Sequence, residues 1–210
     1  MKLETAKMRA MIKLKDMKRR VASFVLGKTG RIVEYSFALQ YIGDVKNILD
    51  IGCSGSSFAF NLAKKSYYVH AIDIWEYPFR HERLNFYFAD ARYLPFTDDS
   101  FDVITCVSTI EHIGTGEYGN PIDEHGDLRV MMEIFRVCKT GGRVIITTSW
   151  AEKYRYIPGL ERYYDDARLN KLCKGFELEV EEYYAPLGGF GIIHLIGTRF
   201  QRKQQRGHSL

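Results

Sequence analysis

Leu49-Asp50-Ile51-Gly52-Cys53-Ser54-Gly55-Ser56-Ser57 is the stretch on which the reading of this chain turns. A short apolar run from Ile48 to Ile51, broken by Asp50, stops at a cluster of small residues. An apolar helical pattern follows in Phe58, Phe60, Leu62 and Ala63. A strand that ends in an acid, a tight turn and a helix has two uses. It makes a sharp corner that needs small residues for packing, or it seats a nucleotide-like ligand on the free N–H groups of the helix start. The stretch alone does not decide between them.

The flanking segments alternate. Asn47–Ile51 reads as a strand and 55–65 as a helix, followed by strands at 66–73, 84–89 and 101–108. Asp127 is suited to cap a helix running to Cys138. Thr140-Gly141-Gly142 then turns the chain into a strand over 143–149. A helix at about 165–173 precedes two strands, 176–184 and 190–200. The turn Pro186-Leu187-Gly188-Gly189 between them predicts an antiparallel hairpin. This alternation predicts an α/β, Rossmann-like, doubly wound fold with a mostly parallel seven-stranded sheet closed by that hairpin. In such sheets ligands bind at the carboxyl ends of strands, near the reversal of strand order. Asp73 ends the second strand, 23 residues after Asp50. An acid at that place accepts hydrogen bonds from ribose hydroxyls. The pair, Asp73 with the 49–57 turn, favours the ligand reading. The turn lacks a full GxGxxG, and no GKS or GKT follows, so neither a dinucleotide nor a phosphate-cradling loop is indicated.

The remaining motifs give a resemblance. Ala89-Asp90-Ala91-Arg92 followed by Leu94-Pro95-Phe96, Ser100-Phe101-Asp102-Val103-Ile104, and Val137-Cys138-Lys139-Thr140-Gly141-Gly142-Arg143 stand in order after the first turn and Asp73. Over about 47–149 the chain resembles class I S-adenosylmethionine-dependent methyltransferases, with Ser54 and Ser56 where the first motif usually has glycine. The resemblance implies S-adenosyl-L-methionine as cofactor. It implies that Asp50 orients the turn and meets the methionine amino group, with Gly52, Cys53, Ser54 and Gly55 passing close to the methionine portion. Asp73 would hold the ribose, Ile74 and Trp75 flank the adenine, and Asp90 and Ala91 fix its edge. Tyr35 would approach from the N-terminal helices with Arg31 and Glu34, and Ser108 lies at the end of the fourth strand. A serine can follow a glycine-like backbone only at negative φ, so Gly55 is expected to take the flexible position.

The fourth strand ends in Ser108-Thr109-Ile110-Glu111-His112, where the family faces the departing methyl group. His112, with Glu111, is the candidate general base; the alternative is a structural pair beside the cofactor. The loop 114–127 is long, glycine-rich and acidic. Tyr118 and Asp123 are its candidate substrate contacts. Glu111, His112, Asp123, Glu124, His125 and Asp127 include metal-ligating types, but a lid capped by Asp127 is preferred and no metal is assigned. Glu-His-Ile-Gly, Tyr-Gly-Asn-Pro-Ile-Asp, Glu34-Tyr35 and Tyr77-Pro78-Phe79 resemble a small prokaryotic subgroup linked to sugar or surface-polysaccharide assembly. A small-molecule or glycan acceptor, methylated at oxygen, follows from that likeness.

Charge leaves other partners open. The net charge of +4 over 210 residues divides into +8 over 1–31, +4 over 199–210 and −8 between them. The expected layout is a basic helical extension over 1–30, a methyltransferase domain over 31–200 and a basic tail over 201–210. Basic ends suit RNA, making an RNA methyltransferase the alternative. An acidic body repels a polyanion, and no Asn-Pro-Pro-Tyr motif for base amines is present. A cofactor-binding scaffold without catalysis is the third reading. Residues 5–25 read as a basic amphipathic helix, either capping the domain or lying on an anionic membrane surface. No apolar run approaches the roughly 20 residues of a membrane span, and no secretory signal is expected. The four cysteines show no metal spacing and read as reduced thiols of a cytoplasmic protein.

Overall fold

The computed structural model describes residues 31–184 and 195–202. Helix α1 is described over 31–42. Then follow β1 (Asn47–Ile51), α2 (Phe58–Lys64), β2 (Tyr68–Asp73), β3 (Leu84–Phe88), β4 (Phe101–Val107) and α3 (Gly126–Val137). The chain continues through β5 (Cys138–Thr147), β6 (Arg155–Tyr156), β7 (Arg162–Tyr163), α4 (Asp166–Leu172), β8 (Phe176–Tyr184) and β9 (Leu195–Arg202).

The main sheet runs β3-β2-β1-β4-β5-β9-β8. Its first five strands are parallel. β9 joins β5 antiparallel, and β8 pairs antiparallel with β9. β1 and β4 lie at the centre and read as nearly continuous buried runs, as strands covered on both faces must. One face is packed by α1 and α2 through Phe37, Ala38, Ile42, Phe58, Ala59, Leu62 and Ala63. The other is packed by α3 and α4 through Val130, Met131, Ile134, Val137, Leu169 and Leu172. Strand order reverses between β1 and β4. There Ile51 lies level with Ile72 on one side and Cys106 on the other, so the ends of β2, β1 and β4 open together.

Several expected details differ. α2 begins at Phe58, not 55, because residues 53–57 stay in the turn. Asp127 does not cap α3. His125 stands at the cap, and Asp127 lies inside the first turn, wholly buried, where Arg168 grips its carboxylate with two nitrogens. Gly141 and Gly142 lie inside β5 and not before it. The register slips there, with Phe101 opposite Cys138 but Val103 opposite Arg143, and Gly141 takes φ 78° to form the bulge. The short β6–β7 hairpin carries no periodic signal and was not foreseen. The proposed helix at 5–25, the 1–30 extension, the 186–189 turn and most of the basic tail lie outside the described residues. No helix among the described residues is long and apolar enough to cross a membrane. Cys53, Cys106 and Cys138 are buried thiols, and Cys173 is half-buried.

Candidate active site

A cavity of about 300 Å³ opens at the carboxyl ends of β1, β2 and β4. Its floor is the β1–α2 turn. Gly52 takes φ 81° and Gly55 φ 76°, so the two glycines absorb the left-handed positions and the serines between and after them do not. Gly52 donates its N–H to the Ile72 carbonyl at 2.9 Å. A Cβ on Gly52 would stand 2.1 Å from Thr109 Oγ1, so this glycine lets the β4 end close onto the turn. A Cβ on Gly55 meets nothing within 4 Å, because that residue faces the open cavity.

Asp73 orders one half of the cavity. It accepts the Ser54 N–H at 2.8 Å and the Trp75 N–H at 2.9 Å. Ser54 Oγ donates to the Trp75 carbonyl at 2.9 Å. Ile74 and Trp75 line the same wall, and Trp75 keeps 56% of its surface exposed although it is large and apolar. Opposite stand Asp90 and Ala91. Burial pushes the Asp90 carboxyl up, but the Arg92 guanidinium, 2.6 Å away, more than offsets this and holds it low.

The end of β4 forms the other half. Ser108 takes φ 44° in a non-glycine position. Its N–H donates to Thr147 Oγ1 at 3.0 Å, and its hydroxyl donates to Glu34, which α1 sends into the sheet end almost wholly buried. His112 lines the cavity, while Glu111 lies behind it, 2% exposed. His112 Nδ1 faces Glu117 Oε2 at 2.6 Å, and Nε2 stands 4.0 Å from Glu111 Oε1. Burial pushes the imidazole down, but Glu117, the Glu111 charge and the Leu160 carbonyl outweigh it and raise its pKa to about 9. Burial, with Glu34 and Glu161 adding like charge, lifts Glu111 to about 7 against the opposing pull of His112. Tyr118 meets the imidazole edge-on at 5.3 Å and takes the Trp75 indole N–H on its carbonyl at 3.3 Å.

Residues 49–146 match the family model of a methyltransferase domain. Over this stretch, just under half of its length, the chain is similar to methyltransferase domains. The ubiquinone biosynthesis O-methyltransferase of Aeromonas salmonicida (strain A449) is 29% identical over 113 residues, covering 49% of this chain and 43% of that protein. The chain therefore spans less than half the length of that relative. Among solved structures, the 1,6-didemethyltoxoflavin-N1-methyltransferase of Burkholderia thailandensis superimposes with TM-score 0.67 at 16% identity, over 89% of this chain and 87% of that one. The N-methyltransferase NodS of Bradyrhizobium japonicum WM9 gives TM-score 0.66 at 14% identity, over 84% and 98%. These likenesses carry the fold.

The residues that line the cavity fit S-adenosylmethionine on their own chemistry. Gly55 leaves its side of the turn open, Asp73 keeps lone pairs free beside the cavity, and exposed Trp75 offers a flat apolar face. Gly52, Ser54, Gly55, Asp73, Ile74, Trp75, Asp90, Ala91, Ser108, His112 and Tyr118 all line this cavity. Five expected site residues are placed elsewhere, Glu111 behind His112 being the first. Asp50 lies beneath the turn with Thr105 Oγ1 donating to it at 2.7 Å, and burial lifts its pKa to about 7. Cys53 points into the α2 core. Tyr35 stacks on Phe58 at 4.7 Å, leaving Arg31 of the same helix at the cavity wall. Asp123 is turned to structure, ion-paired with Arg129 at 3.0 Å and Arg92 at 3.3 Å. Asn120, Thr109 and Ile113 join the lining unforeseen. Thr109 and Ile113 flank the Glu-His pair in sequence, a signal that was there to be used; Asn120 had none.

Proposed function

We propose that this protein methylates a hydroxyl oxygen of a small-molecule or glycan acceptor. The supporting observation is His112 at the end of β4, in the wall of the cavity that Asp73 and Trp75 also line, with Glu111 behind it at 4.0 Å. S-adenosylmethionine, when bound, supplies a methyl group on a sulfonium and leaves as a neutral thioether. The chain's own residues do the rest. Asp73 would accept from the ribose hydroxyls, Trp75 and Ile74 would cover the adenine, and Asp90 would meet its edge. His112, with Glu111 behind it, would take the proton that the hydroxyl loses once its own has left, which a pKa of about 9 sets on the alkaline side. Tyr118 and Trp75, packed edge-on at 6.4 Å, would hold the acceptor against bulk water. The acidic body between the basic ends weighs against a nucleic-acid acceptor at this cavity.

The test is methyl transfer to a panel of sugar and phenolic acceptors, with RNA as comparison. His112→Gln is expected to lower kcat by about 10²- to 10⁴-fold. Binding of S-adenosylhomocysteine should stay within about twofold, since His112 lies on the acceptor side. Equal loss of cofactor binding would sink the assignment of His112 to the acceptor side.

A further inference from the structure

His112 is held more closely than a side chain on a cavity wall needs to be. Glu117 Oε2 stands 2.6 Å from its Nδ1, and the Leu160 carbonyl 3.2 Å from the same nitrogen. Both neighbours are acceptors, so Nδ1 carries the ring proton and Nε2 is left to take one. Other charged or titratable groups stand near the ring. Glu111 lies 4.0 Å from Nε2 and is also met by the Thr148 hydroxyl. Glu161 approaches from the β6–β7 hairpin, and Tyr118 meets the ring edge-on. From α1, Glu34 and Arg31 act through space on Glu111. Among the described residues, Glu117 makes the one side-chain hydrogen bond to the imidazole.

The turn that carries Glu117 is built around His112. Thr115, wholly buried, donates its hydroxyl to the His112 carbonyl at 2.8 Å and accepts the Glu117 N–H at 3.3 Å. Gly116 and Gly119 take φ 87° and 79°, and the Gly119 N–H closes the turn on the Gly116 carbonyl at 3.2 Å. Asn120, itself on the cavity wall, accepts the Gly116 N–H at 2.9 Å. The same turn is fastened to the half of the cavity that Asp73 orders. The Trp75 indole N–H donates to the carbonyl of Tyr118, the residue next to Glu117. Trp75 is itself tied down, its backbone N–H on Asp73 and its carbonyl on the Ser54 hydroxyl, each at 2.9 Å. One short run of contacts therefore leads from Asp73 and Ser54 through Trp75 and Glu117 to the imidazole.

We propose that Glu117 is a positioning residue for His112, and that Trp75 keeps Glu117 in place, so that a ligand laid against the indole also sets the imidazole. The Glu117 carboxylate fixes the rotation of the ring and keeps its proton on Nδ1. It also stabilises the imidazolium once Nε2 has taken a proton. It touches no reacting atom. Adenine against Trp75 restrains the indole, the indole N–H restrains Tyr118, and Tyr118 restrains Glu117 beside it. Occupancy of one half of the cavity and geometry in the other are then coupled. The placing of the ring stands on these contacts alone; its use as a base rests on the hydroxyl-methylation reading above.

The experiment follows the His112 ring by NMR through a pH titration of the full chain, its signal assigned by loss in His112→Gln. Protection of the β1 and β4 amides is the proof of fold in every variant. Glu117→Gln is expected to lower the His112 pKa by about one unit or more from about 9, with S-adenosylhomocysteine affinity kept within about twofold. Glu117→Asp should recover part of that shift. Glu152→Gln, an exposed carboxylate outside the turn, should titrate as the parent does. A His112 titration unchanged in Glu117→Gln overturns the positioning role. Trp75→Phe keeps a flat ring and loses the N–H. Amide exchange over 116–120 is expected to quicken about tenfold or more in it, with His112 titrating between the parent and Glu117→Gln. Exchange and titration that match the parent overturn the Trp75 link. S-adenosylhomocysteine should slow this exchange more in the parent than in Trp75→Phe, and equal slowing overturns the coupling. With an acceptor, the limb of kcat against pH should move down with the His112 pKa in Glu117→Gln. A pKa that falls in a chain that methylates none of the panel supports the role of Glu117 and removes the hydroxyl reading.

Discussion

Gly52 and Gly55 share a turn and a positive φ, yet they do different jobs. Alanine at Gly55 meets only the cost of the left-handed backbone, about 1–2 kcal/mol. Alanine at Gly52 adds a clash with Thr109 and pushes the β4 end off the turn. Gly52→Ala is therefore expected to lower stability by several kcal/mol in chemical denaturation, against about 1–2 for Gly55→Ala. Equal losses would contradict the close approach at Gly52. Asp50 gives a pH prediction. Its folded pKa of about 7 stands above the ordinary value of about 3.9. Between these values the native chain keeps a proton that the unfolded chain has released, so this group's contribution to stability falls as pH rises from about 4 to about 7 and stays low above. Asp50→Asn should gain stability relative to the parent at pH 8 and lose that advantage at pH 5; a difference that does not change with pH would contradict the buried, protonatable carboxyl. Residues of this kind were partly legible in the sequence. Asp73 could be read because a strand end and a fixed spacing place it, whereas Trp75 came from the resemblance to a family. Asp123 could not, because its partners Arg92 and Arg129 come to it through the fold.

The β6–β7 hairpin acts as a brace for the segment that follows β4. Arg162, with no exposed surface, donates to the carbonyls of Ile113, Asp123 and Glu124, and its guanidinium lies 4.8 Å over the Tyr156 ring. The Tyr156 hydroxyl donates to the Gly114 carbonyl at 3.0 Å, and the Gly159 N–H to the Thr115 carbonyl at 2.6 Å. The segment that carries His112 and Tyr118 is thus held by side chains some forty residues away. Arg162→Lys keeps the charge and loses the fork, leaving buried carbonyls unmet at about 1–3 kcal/mol each. Amide hydrogen exchange over 113–124 should speed up in this variant while β1 and β4 stay protected. Uniform acceleration across the sheet would show a global loss and not the loss of a brace. The hairpin escaped the sequence reading because two-residue strands have no period to find, and Asp127 was misread as a cap because nothing nearby in sequence reveals Arg168. The long strands and helices were legible because their apolar periods span whole elements.

At the scale of the molecule, topology and charge set the frame. The reversal between β1 and β4 opens the cavity where the motifs converge, and this was readable from alternation and the order of motifs alone. What the ends of the chain do is a question of partners, since +8 and +4 flank a body of −8. The central claim is that Asp73 and the β1–α2 turn hold S-adenosylmethionine. Calorimetric titration with S-adenosylhomocysteine tests it most directly, in the parent chain, Asp73→Asn and Asp73→Ala. The account predicts micromolar affinity in the parent, about −8 kcal/mol, and at least tenfold weakening, about 1.4 kcal/mol, in Asp73→Ala with a smaller loss in Asp73→Asn. A folded parent chain that shows no heat of binding, or an Asp73→Ala chain that binds as tightly as the parent, would contradict it.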